Sequence, residues 1–410
     1  MTLSVDSEVG ALKRVIVHKP GLELFRLTPA NIDGLLFDDV MWAEKARAEH
    51  DAFQQKLRSF GVEVFEFGSL LQQAIDAPGA REWLTDRLTT ENRFGAALEG
   101  PLSRLLDSHD SRQLAGLMIG GLLKREAMPY LEGVDSLLLD YLGPDDFLLS
   151  PLPNHLFQRD NSAWIYGGVS VSPMAKPARR RETINSRLIY NFHPLFRDAD
   201  FQFYYGNDSA DHSKATVEGG DIHVLGNRHV MIGMGERTSP QGLEVLAERL
   251  FRAGVVDKII VIELPKTRAF MHLDTAMTQI DRDAFSVYPY LPEVLRSFTL
   301  TAAGDSGAYT VVENKELFPV VADALGVNNL RVLRAPVDRL EASREQWDDG
   351  NNFLAVKPGV IVGYQRNVTT NKYLADQGIE VVGLDGGELG RGRGGPRCMS
   401  CPIDREAVAS

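Results

Sequence analysis

Apolar, β-branched runs broken by a turn dipeptide recur along the chain and predict hairpins. Three are plain: Trp164-Ile-Tyr-Gly-Gly-Val-Ser-Val171, Ile222-His-Val-Leu-Gly-Asn-Arg-His-Val-Met-Ile232 and Phe353-Leu-Ala-Val-Lys-Pro-Gly-Val-Ile-Val362. An arginine and a threonine follow each hairpin, at Arg181 and Thr183, Arg237 and Thr238, and Arg366 and Thr369. Helical patterns come next, so each threonine is expected to cap a helix. Gly61, Gly254, Gly326 and Gly378 then stand between a helical pattern and a strand-like run, where a helix-ending glycine belongs. The unit that repeats is therefore ββαβ. Acidic residues open three such units, Asp160, Glu218 and Asp274, at spacings of 218 − 160 = 58 and 274 − 218 = 56 residues. Residues 70–141 break the rhythm: they are rich in Leu, Ala, Arg and Gln, with helical runs such as Arg112-Gln-Leu-Ala-Gly-Leu-Met-Ile119. This stretch reads as an inserted helical domain in a catalytic body made of 1–69 and 142–410.

Composition narrows the function classes without choosing one. With 44% hydrophobic and 24% charged residues the chain has the make-up of a folded globular protein. A net charge of −12 disfavours nucleic acid as a partner. The longest apolar run, Leu114 to Leu123, falls well short of the roughly 20 residues that cross a bilayer. No basic-then-apolar leader opens the sequence, so a cytoplasmic location and no membrane partner are expected.

Four segments concentrate chemistry. The first is Asn154-His-Leu-Phe157-Gln-Arg-Asp160, followed by the arginine run at Arg179; the second is Glu218-Gly-Gly-Asp221 with Arg237 beyond its hairpin. The third, His272-Leu-Asp274, would put both side chains on one face of a strand. The fourth is Gly392-Arg393-Gly-Gly-Pro-Arg397-Cys398-Met-Ser-Cys401. Together they offer a thiol nucleophile, a proton carrier and several carboxylates. Rival readings exist for each. A Cys-x-x-Cys pair can be a redox couple, but this one meets Pro402 instead of opening a helix; zinc wants about four ligands, and two cysteines do not supply them. Arg179, Arg180 and Arg181 read locally as a solvated charge run, and the Arg-Gly segment imitates a single short RNA-binding tract.

Taken in order and spacing, the four segments resemble the arginine deiminase family, as do Ser7-Glu-Val-Gly-Ala-Leu-Lys-Arg-Val-Ile-Val-His-Lys-Pro20 and Leu35-Leu-Phe-Asp-Asp39. The resemblance implies a five-bladed, pseudo-symmetric α/β propeller of ββαβ units carrying the helical insertion. It implies hydrolysis of free L-arginine to citrulline and ammonia, with no cofactor or metal, by a homodimer or homotetramer. It assigns Cys398 as nucleophile, His272 with Glu218 as proton carrier and partner, and Asp160 and Asp274 as the guanidinium grip. Arg179 and Arg237, each 19 residues beyond an opening acid (179 − 160 = 19 and 237 − 218 = 19), would bind the α-carboxylate at the end of the pocket opposite Asp160 and Asp274, with Asn154 close by. Phe157 would line the pocket, and Arg393 would move on its glycine-rich loop. Cys401 has no assigned role, and Arg397 stands where relatives can carry histidine.

The chemistry asks for such a set in any case. A guanidinium is planar and cationic, so carboxylates accepting its N–H groups two at a time suit it. A cation beside a thiol favours the thiolate, and a histidine held protonated by a carboxylate can give the leaving nitrogen its proton.

Overall fold

The computed structural model describes residues 3–92, 94–207, 212–292, 295–304 and 306–408. It shows a mixed α/β fold in which one pairing rule recurs. Each of five sheets contains an antiparallel pair whose second strand also takes a parallel partner. These are Ser162–Ile165, Gly168–Val171 and Gln202–Tyr205; Ile222–Gly226, His229–Met234 and Lys258–Glu263; Met277–Asp281, Ala284–Val287 and Arg331–Leu333; and Leu354–Lys357, Val360–Tyr364 and Glu380–Leu384. The fifth joins the two ends of the chain: Ser400–Arg405 pairs antiparallel with Leu12–Val17, which runs parallel to Glu63–Glu66. In the second sheet Ser297–Ala302 and Tyr309–Glu313 extend the edge. A helix links the hairpin to its parallel strand in every unit: Glu182–Phe192, Pro240–Arg252, Leu317–Leu325, Val368–Asp376 and Ala43–Ser59. That crossover is what a parallel neighbour requires.

The three hairpins form where the apolar runs placed them, and the four helix-ending glycines all have φ between 65° and 85°. The threonines do not cap. Ser239 caps Pro240–Arg252 with its own hydroxyl, while Thr183 and Thr369 lie inside their helices. Thr238 is turned inward, where its hydroxyl donates to Asp221 Oδ2 at 2.6 Å and accepts the Glu218 amide.

Between Glu63–Glu66 and Phe147–Leu149 the chain is mainly helical, with Phe67–Ile75, Ala80–Asn92, Ala96–Ser108 and Ser111–Gly120 the longer members. Helix starts at Phe67, 70 − 67 = 3 residues before the change in composition, because Glu66 ends the strand and accepts the Ser69 amide as a cap. These helices bury Leu71, Leu105 and Met118 in the same apolar cluster as Trp164, Leu188 and Val224 of the first two units. A fully buried side chain of that size contributes roughly 1.5–3 kcal/mol, so the helical segment and the sheets stabilise one another. Among the described residues no helix is long and apolar enough to cross a membrane.

Candidate active site

The polar residues of the site sit just upstream of the first strands. Asp160 lies two residues before Ser162–Ile165, Asp274 three before Met277–Asp281, and Cys398 two before Ser400–Arg405. Glu218 stands four before Ile222–Gly226, and Asn352 two before Leu354–Lys357. Each of the five units thus delivers one polar side chain to a common interior. Asn352 escaped the sequence reading because a lone asparagine is unremarkable and stands 352 − 274 = 78 residues past Asp274, off the spacing of 56 to 58; its place just before the Phe353 hairpin was the signal that could have found it. Nor do His272 and Asp274 share a strand. His272 precedes the single helical turn Leu273–Ala276, and Asp221 fastens that turn by accepting the Leu273 amide at 2.8 Å.

All ten residues singled out by sequence meet here. Asn154, Phe157, Asp160, Arg179, Arg237, His272, Arg393 and Cys398 line one small cavity, with Leu36, Arg268, Met271 and Thr275 added; it holds about one water molecule. Glu218 and Asp274 stand immediately behind. The Cys398 sulfur accepts from Asn352 Nδ2 at 3.0 Å and lies 3.6 Å from Asp274 Oδ2. Burial pushes its pKa well up, and Asp274, Asp160 and Asp349 push the same way against Arg397, so the free enzyme holds a thiol. Cys401 is elsewhere, on the last strand, 3.6 Å from the Ser162 hydroxyl.

His272 Nε2 is 2.8 Å from Glu218 Oε2, and Nδ1 is 3.6 Å from Asp160 Oδ1. Burial works to deprotonate this imidazole, but Asp160, the Glu218 hydrogen bond and Asp221 outweigh it and hold the pKa raised to about 9. Glu218 is itself buried; Arg237 and His272 overcome that penalty and lower it to about 2. No side chain fits at Gly220, beside His272 and Asp160: a Cβ there would come within 2.8 Å of the His272 ring and 2.9 Å of Asp160 Oδ1.

The structure shows how the charged groups are already engaged, and it corrects one expectation about the arginines. In each aspartate one oxygen is bound to an arginine. Asp160 Oδ2 accepts from Arg179 Nη1 at 2.6 Å and Asp274 Oδ2 accepts from Arg397 Nη1 at 2.7 Å, which leaves Oδ1 of each buried without a donor among the described residues. Arg179 and Arg237 do not stand at the far end of the pocket from the acids. Each folds back on the acid that opens its own unit, Arg179 on Asp160 and Arg237 on Glu218 at 3.3 Å; the shared interval of 19 residues is the span of that ion pair. Arg179 is further engaged by both oxygens of Glu182 and by the Asn154 carbonyl. Arg237 Nε, and Arg393 Nε and Nη1, have no hydrogen-bond partner among the described residues. The Arg393 guanidinium instead lies 3.6 Å from the centre of the Trp347 ring.

The roof of the cavity is glycine-rich for a packing reason. Phe157, stacked on Phe37, presses on the terminal loop so closely that a Cβ at Gly394 would come within 2.3 Å of its ring. Ion pairs from Asp38 to Arg268 and from Asp39 to Arg391 hold the roof at its rim. Asn154 reaches the roof directly, donating to the Leu35 carbonyl at 2.7 Å.

Among solved structures the chain resembles the amidinotransferase SxtG of the saxitoxin biosynthetic pathway from Microseira wollei, at 15% identity and a TM-score of 0.55 over 100% of this chain and 98% of that one. A dimethylarginine dimethylaminohydrolase adduct with S-methyl-L-thiocitrulline gives 0.51 at 16% identity, over 95% of this chain and 99% of that one. The Pseudomonas aeruginosa dimethylarginine dimethylaminohydrolase complexed with citrulline gives 0.50 at 16% identity with the same coverage. At such identities these likenesses bear on the fold alone. The sequence profile of arginine deiminase matches residues 33–405, nearly the whole chain and a span that contains the residues lining the cavity, and the protein belongs to the arginine deiminase family of guanidino-group-modifying enzymes.

Proposed function

We propose that the protein hydrolyses free L-arginine to citrulline and ammonia through a covalent adduct on Cys398. The observation that carries this reading is the pair of orphaned acceptors, Asp160 Oδ1 and Asp274 Oδ1, buried beside a neutral thiol and a protonated imidazole. A planar cation with N–H groups on two sides satisfies both acceptors, one hydrogen bond to each. Its charge also supplies what the thiol lacks: the cation opposes the carboxylates that keep Cys398 protonated, so docking lets the proton leave.

The thiolate then forms a bond to the guanidino carbon. His272 gives its proton to the terminal nitrogen, the C–N bond breaks and ammonia departs, leaving a thiouronium cation. Neutral His272 takes a proton from water, the oxygen bonds to carbon, the C–S bond breaks, and the remaining hydroxyl proton passes to the released thiolate, which yields citrulline and restores the thiol and the protonated imidazole. Glu218 keeps the imidazole oriented and charged for the first half.

Arg237 and Arg393 carry unsatisfied N–H groups for the α-carboxylate, with Asn154 beside them; Arg179 joins only by loosening its hold on Asp160. We further infer that the five units close into a propeller around this site, with the helical segment inserted between the unit that joins the chain ends and the unit that Asp160 opens. The test compares citrulline and ammonia release from L-arginine with turnover of agmatine and a methylated arginine, and with amidino transfer to an added amine. Release from L-arginine at least 10²-fold above the others supports the reading. Preferential transfer, or a preference for agmatine, overturns it in favour of another guanidino chemistry.

A further inference from the structure

Glu8 lies in the N-terminal segment, far in sequence from the nucleophile, the histidine and the carboxylates of the site, and is 7% exposed. Its Oε2 accepts from Arg397 Nε at 3.1 Å, and its Oε1 accepts the amide of Val224 at 3.1 Å. Arg397 is 1% exposed. Beyond Glu8 it donates from Nη1 to Asp274 Oδ2 at 2.7 Å and from Nη2 to the Ile222 carbonyl at 2.7 Å. The pair is thus pinned to one strand, Ile222–Gly226, at Ile222 and Val224, two residues apart. Its free end grips the aspartate that touches the nucleophile, and Arg397 is the residue bonded to Cys398 in the chain. A guanidinium fork anchored on three sides has one orientation available, which a lysine could not reproduce.

We propose that Glu8 and Arg397 are a positioning pair, which turns Asp274 so that Oδ1 faces the guanidino group, with Arg397 keeping that carboxylate charged beside Cys398 and Glu8 tempering it. This rests on the reading of the site as a guanidino hydrolase. Asp274 is fully buried and faces Arg397, Arg159, His272, Asp160, Asp349 and Cys398. Burial raises its pKa, and Arg397 is the foremost group opposing that rise. Without Arg397 the aspartate binds a proton at higher pH and meets the cation as a neutral acid. Glu8 acts in the other sense, since it shares the charge of Arg397 and so weakens its hold on Asp274.

The two variants therefore move the same property in opposite directions. The experiment follows kcat/KM for L-arginine against pH in the parent, Arg397→Met, Arg397→Lys and Glu8→Gln. In parallel, the rate at which iodoacetamide alkylates Cys398, located by peptide mass spectrometry, reports thiol ionisation without any substrate. Arg397→Met is expected to lower kcat/KM about 10²-fold, as loss of one partner from a buried pair does. Its acid limb should move to higher pH, and the alkylation midpoint should rise. Glu8→Gln should move the acid limb to lower pH, and Arg397→Lys should restore the limb but only part of the rate. A lower rate with neither midpoint displaced in Arg397→Met shows a merely structural role and overturns the proposal. If Arg397→Met does not fold, an unmoved limb in Glu8→Gln does so instead. If the parent fails to hydrolyse L-arginine the function is wrong, and the alkylation midpoints still decide the pair.

Discussion

The floor and the roof of the cavity are built on different principles. In the floor every charged group is buried and answers to another: Glu218 to His272 and Arg237, Asp160 to Arg179, Asp274 to Arg397, and the Cys398 sulfur to Asn352. These side chains hang from the ends of five sheets, whose registers fix them. The roof, from Leu35 to Asp39 and from Gly386 to Gly395, contains no strand and is tied by partly exposed ion pairs; Leu36 and Arg393 both take positive φ, at 65° and 64°. Chemistry is prepared in the floor before substrate arrives, while entry to a cavity the size of one water depends on the roof. Floor variants should therefore change the reaction, and roof variants its access.

The largest effect belongs to the nucleophile. Cys398→Ala should remove at least 10⁴-fold of turnover, whereas Cys401→Ala should stay within about threefold of the parent in a citrulline assay. Equal loss in both would show that the two thiols act together and that the floor extends to the last strand. Next comes the proton carrier: His272→Ala should cost on the order of 10² to 10⁴-fold and, in a single turnover, release little ammonia. Rapid ammonia release would assign the acid to another group.

Arg237→Ala should raise KM for L-arginine much more than it lowers kcat, and should shrink the preference over agmatine by roughly 10² to 10³-fold. Here the effect straddles floor and roof, because Arg237 also holds Glu218; a loss confined to kcat would place the residue wholly in the floor.

The pH dependence sharpens the same division. Activity should fall as pH rises through about 9, where His272 loses its proton. Stability follows the same group: a pKa raised from 6.5 to about 9 contributes stability that is complete below 6.5 and is lost as pH climbs through 9. Glu218, lowered from 4.5 to about 2, contributes stability present above 4.5 and lost as pH falls toward 2. Urea unfolding across pH should therefore show greatest stability between those limits, and His272→Ala should flatten its alkaline side. The smallest effect is expected in the roof, where Asp38→Asn severs a rim ion pair worth about 0–1 kcal/mol. It should alter KM a few-fold and leave the pH profile unmoved; a displaced profile would mean that the roof carries charge to the floor.

Much of this was legible in the order of residues. The hairpins announced themselves by β-branched runs around turn dipeptides, and the helix ends by glycines. The ten residues named through their motifs and family resemblance lie together in the structure. What escaped was of one kind. Asn352 carries no motif, Glu8 lies 397 − 8 = 389 residues from its partner, and the interval of 19 residues from Asp160 to Arg179 said nothing about whether the two attract or serve opposite ends of a ligand. The threonines were assigned to helix caps on local pattern; Ser239 took that role from Thr238, and the other two helices begin before Thr183 and Thr369 with no side-chain cap.

Residue order alone settled which elements form and which reactive groups the chain owns, since hydrogen-bonding preference, side-chain branching and glycine freedom act over a few neighbours. Tertiary structure alone decided the charge state of those groups. Whether Cys398 is a thiol, His272 a cation or Asp274 a carboxylate with one free oxygen depends on how much water each loses and which charges close around it. Those neighbours come from all five units, so the balance of desolvation against Coulomb attraction exists only once the sheets have assembled.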